Sequence, residues 1–150
     1  MKTSSELIEH CEKAIRENWQ YVFGAKGTVL TKEQIKAKQD RWGKYCVHDA
    51  DIEKKGGKIC CDCSGLISSL TNIERNSQGY YDTALIQKSI EERDASMKGW
   101  GVWKKNHIGI YDGNDGYYAM DNSDRNMVHN NLNQNSFTHI IKLCDINYDS

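Results

Sequence analysis

The spacing of apolar residues changes period once along this chain, near Trp100, and that change constrains the fold more than any other feature of the sequence. Before it, apolar residues recur at helical spacing. Leu7, Ile8, Cys11, Ile15 and Trp19 share one face, and Leu66, Ile67 and Leu70 share another. After it come short alternating runs rich in aromatic and β-branched residues, broken by Gly, Asn and Asp. These predict strands near 101–104, 107–111, 117–121, 127–131 and 139–143. Helices first and then consecutive strands able to pair as an antiparallel sheet make an α+β architecture. With 150 residues, no internal repeat and no proline, the chain reads as one domain over 1–150 with a core of its own, and as a monomer.

The helical half divides at its turn signals. A helix over 5–19 follows a Thr3–Glu6 capping box. A loop marked by Gly24 and Gly27 covers 21–27. A second helix over 31–42 is capped by Thr31 and carries Ile35, with its lysines and Gln39 on a solvated face. Residues 43–58 are polar, contain Gly56-Gly57 and read as a surface loop, as does 72–81. Asp82 or Thr83 then caps a helix whose apolar face is Ala84, Leu85, Ile86 and Ile90.

The chemistry concentrates in Cys60-Cys61-Asp62-Cys63-Ser64-Gly65-Leu66-Ile67. Cys63 stands at the start of a predicted helix, where unpaired N–H groups and the helix dipole favour thiolate over thiol. The competing reading is a small core cysteine. Asn106-His107-Ile108-Gly109-Ile110-Tyr111 supplies a distant histidine, as cysteine–histidine catalysis requires. Alternation places His107, Gly109 and Tyr111 on one strand face, with His107 towards the Cys63 helix and Gly109 leaving room for a substrate backbone. Of the other histidines, His10 reads as exposed and His129 as a reserve orienting group.

Bulk properties narrow the partners. The net charge of −1 without a basic block argues against nucleic acid. No run of eighteen apolar residues occurs, so no membrane span is expected. Met1-Lys2-Thr3-Ser4-Ser5-Glu6 turns acidic before an apolar run develops, unlike a secretory signal, and synthesis in the cytoplasm is expected. Six cysteines raise disulfides and zinc. Cys46, His48, Cys60, Cys61 and Cys63 lack the two spaced pairs of a zinc site, so neither metal nor cofactor is expected. A reversible disulfide of Cys60 or Cys61 with Cys63 or Cys46 is a minor alternative.

Asp62-Cys63-Ser64-Gly65-Leu66-Ile67 and His107-Ile108-Gly109-Ile110-Tyr111 resemble the cysteine and histidine motifs of the NlpC-type cell-wall peptidases, a papain-like family. Tyr21-Val22-Phe23-Gly24-Ala25-Lys26-Gly27 resembles the stretch before the cysteine there, and Gly101-Val102-Trp103 the strand before the histidine. The order of motifs is most like the phage and prophage branch. The resemblance implies a papain-like fold with the nucleophile at a helix start and hydrolysis of peptidoglycan stem peptides without a metal. It favours the D-γ-glutamyl bond to a diamino acid, and a protein that reaches the wall after release or injection. The alternatives are an amidase of the related CHAP type, and a non-catalytic wall-binding or zinc-stabilised module.

The resemblance also gives Tyr21 a role as oxyanion donor beside Cys63; read as structure, Tyr21 is an aromatic at a helix end. It implies a third group on the strand after the histidine. If 112–116 form the hairpin loop, Tyr111 faces Tyr117 and His107 faces Asp121. A two-residue loop would bring Asn122 to His107 instead. Asp121 is preferred because a carboxylate also stabilises an imidazolium, against its reading as a strand-end turn former.

Overall fold

The computed structural model describes residues 1–149. Helix α1 (Ser4–Arg16) starts at the expected box: Thr3 Oγ1 accepts the Glu6 N–H at 3.1 Å, and Glu6 Oε1 accepts the Thr3 N–H at 3.2 Å. It ends at Arg16 rather than Trp19, because Asn18 turns left-handed (φ 54°). Ile15 is therefore exposed, and the buried face is Leu7, Ile8, Cys11 and Ala14.

Strands β1 (Gln20–Tyr21) and β2 (Lys26–Leu30) flank β3 (Lys58–Cys61), β1 parallel and β2 antiparallel to it. The two ends of the 21–27 segment are therefore tied to a small sheet, with the turn at 22–25 between them. Helix α2 (Lys32–Trp42) is capped by Thr31 as expected. Gln39 is buried, not solvated: its Nε2 donates to the Val47 carbonyl at 3.0 Å and to Asp49 Oδ1 at 2.9 Å. That bond anchors the start of α3 (Asp49–Lys55), a helix inside the segment expected to be loop. Its inward residues include Asp51 and Lys55, so it carries no strong apolar period for a sequence reading to find.

Helices α4 (Cys63–Thr71) and α5 (Ser77–Thr83) follow. The latter corrects the reading of 72–90. Asn76 accepts the Gly79 N–H at 2.8 Å and starts the helix where loop was expected. The chain is extended by Ala84 and forms strand β4 (Ile86–Ser89) where helix was expected. The Leu85 N–H donates to the Lys142 carbonyl at 2.8 Å, and β4 pairs antiparallel with β9. Covering the sheet edge prevails over helical spacing, and Leu85 and Ile86 remain exposed.

Strands β5 (Gly101–Lys104), β6 (His107–Tyr111), β7 (Gly116–Met120), β8 (Met127–Asn131) and β9 (His139–Lys142) lie within a residue of expectation. With β4 they form one antiparallel sheet in the order β4-β9-β5-β6-β7-β8. One face packs on α1 and α4, where Leu7, Leu66 and Ile67 meet Ile108, Ile110 and Met120. The other buries Val102, Tyr111, Tyr117, Ala119 and Phe137. A third cluster, with Val22, Leu30, Ile35, Val47 and Cys60, lies under α2. Each fully buried Leu or Ile contributes roughly 1.5–3 kcal/mol, enough to fix α4 against the sheet.

Candidate active site

The cysteine side is built by Asp62. It is the extended N-cap of α4, and its Oδ1 accepts the Gly65 N–H at 2.7 Å. Its Oδ2 accepts the Gly24 N–H at 3.2 Å, and its own N–H donates to the Ala25 carbonyl at 3.1 Å. One residue thus fastens the helix start to the segment after Tyr21. Gly65 permits the approach: a Cβ there would stand 2.5 Å from the Ala25 oxygen and 2.7 Å from Asp62 Oδ1. Cys63 is the first helical residue and is partly buried. Burial and the Asp62 carboxylate push its thiol up to about 11, while the backbone N–H groups of Ile108, Ser64 and Cys63 oppose them. The helix start supplies the expected N–H groups, and desolvation by the surrounding fold opposes them.

The histidine side depends on register. Lys104 pairs with His107 across the two-residue connection Lys105-Asn106, where Asn106 adopts a left-handed φ of 69°. Tyr111 pairs with Tyr117 and Ile110 with Tyr118. In that register the His107 Nε2 lies 2.8 Å from Asp121 Oδ1. Asn122 does other work: its Oδ1 accepts the N–H groups of Asp124 and Arg125 at 3.0 and 2.8 Å and shapes the turn. Burial alone would raise the Asp121 carboxyl. The hydrogen bond and charge of His107, with the Arg125 guanidinium, outweigh it and hold the group below the usual carboxylate range.

Two expectations about this strand are corrected. Ile108 and Ile110, not His107, take the face against α4; His107 stacks on Phe137, with centroids 5.6 Å apart and planes at 11°, and reaches the cleft from the strand's end. Gly109 leaves no room for substrate. It is buried, and a Cβ would stand 2.8 Å from the Tyr118 carbonyl oxygen and 3.2 Å from the Ala119 Cβ, so this glycine serves strand packing.

Tyr21, Cys63, His107 and Asp121 line one open cleft of about 440 Å³, rimmed by Lys104, Lys105, Arg125 and Asn135 among others. Cys63 and His107 are not hydrogen-bonded to each other. Catalytic hydrogen bonds are often long before substrate is present. Burial, then the charges of Cys63 and Asp62 when ionised, raise the Tyr21 phenol, so its hydroxyl keeps its proton. His129 bonds Asp112 Oδ2 at 2.8 Å and is not placed to orient His107. His10 is partly buried, its Nε2 3.0 Å from the Leu66 carbonyl oxygen and 2.8 Å from Ser69 Oγ. All six cysteines are free, and Cys60 and Cys61 pack into different clusters, Cys60 away from Cys63.

Sequence reasoning missed three contributors. Asn135 donates to Asp121 Oδ1 at 3.2 Å from the segment between β8 and β9, and Arg125 donates to Asp121 Oδ2 at 3.2 Å. The Ile108 backbone N–H helps hold the Cys63 thiol down against burial. Only the Asp121–Arg125 spacing offered a signal, and it is informative on a helix rather than a turn. Among the described residues, no group of three or more His, Cys, Asp or Glu is arranged to hold a metal ion, and no helix is long and apolar enough to cross a membrane.

Comparison with protein-family models and with curated proteins finds no match. Comparison with solved structures does. The P60 domain of an antigen from M. avium subspecies paratuberculosis aligns with a TM-score of 0.54 at 14% identity, over 93% of this chain and 96% of that one. The peptidoglycan hydrolase RipB from Mycobacterium tuberculosis aligns with a TM-score of 0.53 at 16% identity, over 96% of this chain and 68% of that one. The chain has the α+β papain-like fold that these two share, with N-terminal helices followed by an antiparallel sheet.

Proposed function

We propose that this protein is a cysteine peptidase of the NlpC/P60 kind that hydrolyses amide bonds in peptidoglycan stem peptides. The observation that carries this reading is one cleft holding Cys63 at a helix start, His107 bonded to Asp121, and the Tyr21 phenol. The fold shared with a P60 domain and with a peptidoglycan hydrolase supports the substrate class.

Asp121 engages Nε2 and leaves Nδ1 to take the proton of the Cys63 thiol as substrate binds. The thiolate attacks the amide carbonyl. The Tyr21 hydroxyl and the Cys63 N–H stabilise the oxyanion. The His107 imidazolium then gives its proton to the leaving amine, and water, deprotonated by His107, hydrolyses the thioester. The scissile bond we assign is the D-γ-glutamyl bond to a diamino acid. The rim supports a carboxylate-bearing peptide, because Lys104 and Lys105 add positive charge while Asp121 is already matched by His107 and Arg125. The setting we assign is a bacterial cell wall reached after release or injection, as for a phage or prophage lysin.

Digestion of purified peptidoglycan, with products identified by mass spectrometry, tests this reading. Stems cut after D-glutamate support it. Free glycan strands with intact stems would make the protein an amidase, and an undigested wall would remove the enzyme reading altogether.

A further inference from the structure

The most unusual group outside the cleft is the ammonium of Lys55. The Lys55 and Asp51 side chains retain only 5% and 1% of their exposure, and Nζ lies 2.7 Å from Asp51 Oδ1. Nζ also donates to the Tyr21 carbonyl at 2.7 Å and to the Ser123 carbonyl at 2.9 Å. Ser123 Oγ donates to Asp51 Oδ1 at 2.6 Å, and Asp51 Oδ2 accepts the His48 N–H at 2.9 Å. Every proton of the ammonium is used, and both carboxylate oxygens are occupied.

Stability alone does not account for such a pair. A buried ion pair is often no more stabilising than apolar residues of the same volume. What apolar residues cannot do is bridge two carbonyls. Lys55 joins segments more than a hundred residues apart in sequence: Tyr21 on β1, and the 121–126 turn that begins with Asp121 and contains Arg125. A second bond between the same segments, from the Tyr21 N–H to Asn126 Oδ1 at 3.0 Å, shows that this junction is built from both sides.

We infer that Lys55, held by Asp51, is a positioning residue of the cleft. Its ammonium sets the distance between the wall carrying the Tyr21 phenol and the turn carrying the carboxylate that orients His107. The inference rests on the proposed cysteine–histidine chemistry. Without the ammonium the two carbonyls lose their shared donor, the turn relaxes, and the His107–Asp121 bond loosens together with the Tyr21 placement.

The test is steady-state kinetics of Lys55→Met on a soluble stem peptide across the pH range, with folded fraction measured by circular dichroism and thermal melting. Exposed Lys54→Met serves as the control. Per folded molecule, kcat should fall about 10- to 100-fold, the scale at which small misplacements of catalytic groups act, with KM little changed. The acid limb of the kcat/KM profile should move to lower pH, because His107 is then less well held by its carboxylate. In an Asp121→Ala background the Lys55→Met loss should shrink, as expected for residues acting through one another. A purely structural Lys55 would lower the melting temperature and leave the pH profile per folded molecule unmoved. If Lys55→Met does not fold, the paired Asp51→Asn/Lys55→Met variant, which leaves no unpaired buried charge, takes its place. Wild-type kcat and an unmoved acid limb in a folded variant overturn the inference. Full activity in Cys63→Ala and Asp121→Ala would instead overturn the chemistry beneath it.

Discussion

The two walls of the cleft are held by opposite means. The cysteine wall is local: within four residues, Asp62 caps the helix, Cys63 opens it, and Gly65 lets the Ala25 carbonyl approach. The histidine wall is assembled from afar. Asp121 comes from beyond the next hairpin, Asn135 from the segment before the last strand, and the turn is tied down by Lys55. A wall made from one cap tolerates changes elsewhere in the chain. A wall made from several distant groups depends on each of them, and its failures should appear as loss of rate before loss of fold.

The sharpest way to break that contrast is Asp121→Ala. Losing the carboxylate should reduce kcat by about two to three orders of magnitude while leaving measurable turnover, since the nucleophile and the oxyanion donors remain. Its pH signature follows from its depressed carboxyl. A group held below its unfolded value contributes stability that is present above about pH 3.9 and lost as pH falls through the folded value. Denaturant unfolding of wild type and Asp121→Ala should therefore differ at neutral pH and converge as pH falls through the depressed titration of the carboxyl. A constant difference across that range would show that the carboxylate's charge is not what stabilises the turn.

Tyr21→Phe comes next. Removing one oxyanion donor should cost about 10²-fold in kcat with KM nearly unchanged. Unchanged kcat would return Tyr21 to a packing role. On the cysteine wall, Asp62→Asn separates the cap from its charge. Asn caps a helix as well as Asp does, but its Nδ2 cannot accept the Gly24 N–H, so the melting temperature should fall modestly while the fold is kept. The carboxylate that helps push the Cys63 thiol up is then gone, so iodoacetamide labelling of Cys63 at neutral pH should speed up several-fold. Slower labelling would mean that Asp62 acts on the thiol through geometry rather than charge. The smallest effect belongs to the rim. Lys105→Glu should raise KM for an acidic stem peptide a few-fold without changing kcat, and added salt should shrink the difference. An effect that does not depend on salt would argue against charge recognition.

What the sequence made legible follows the same division. The strands after Trp100 alternate in bursts bounded by Gly, Asn and Asp, and sheet burial on both faces leaves that pattern intact, so strand positions and the His107–Asp121 register could be read. The start of α4 was legible from the helical spacing of Leu66, Ile67 and Leu70, although its Asp62 cap was not read. Helix α3 was not, because Asp51 and Lys55 look solvated by type and are buried by partnership. Nor was β4, where exposed Ile86 and the preceding Leu85 mimic a helix face while their backbone pairs with β9. Cys63 stands at a helix start as expected, and its N–H groups can be counted in a sequence, whereas the desolvation that opposes them depends on residues brought in by the fold.

The most direct test of the account is turnover of a soluble stem peptide by Cys63→Ala beside wild type, with both proteins shown to be folded by circular dichroism. The chemistry proposed here has no other nucleophile in the cleft. It predicts that the variant's turnover falls below detection while its melting temperature stays close to that of wild type. Turnover at the wild-type rate in folded Cys63→Ala would contradict it.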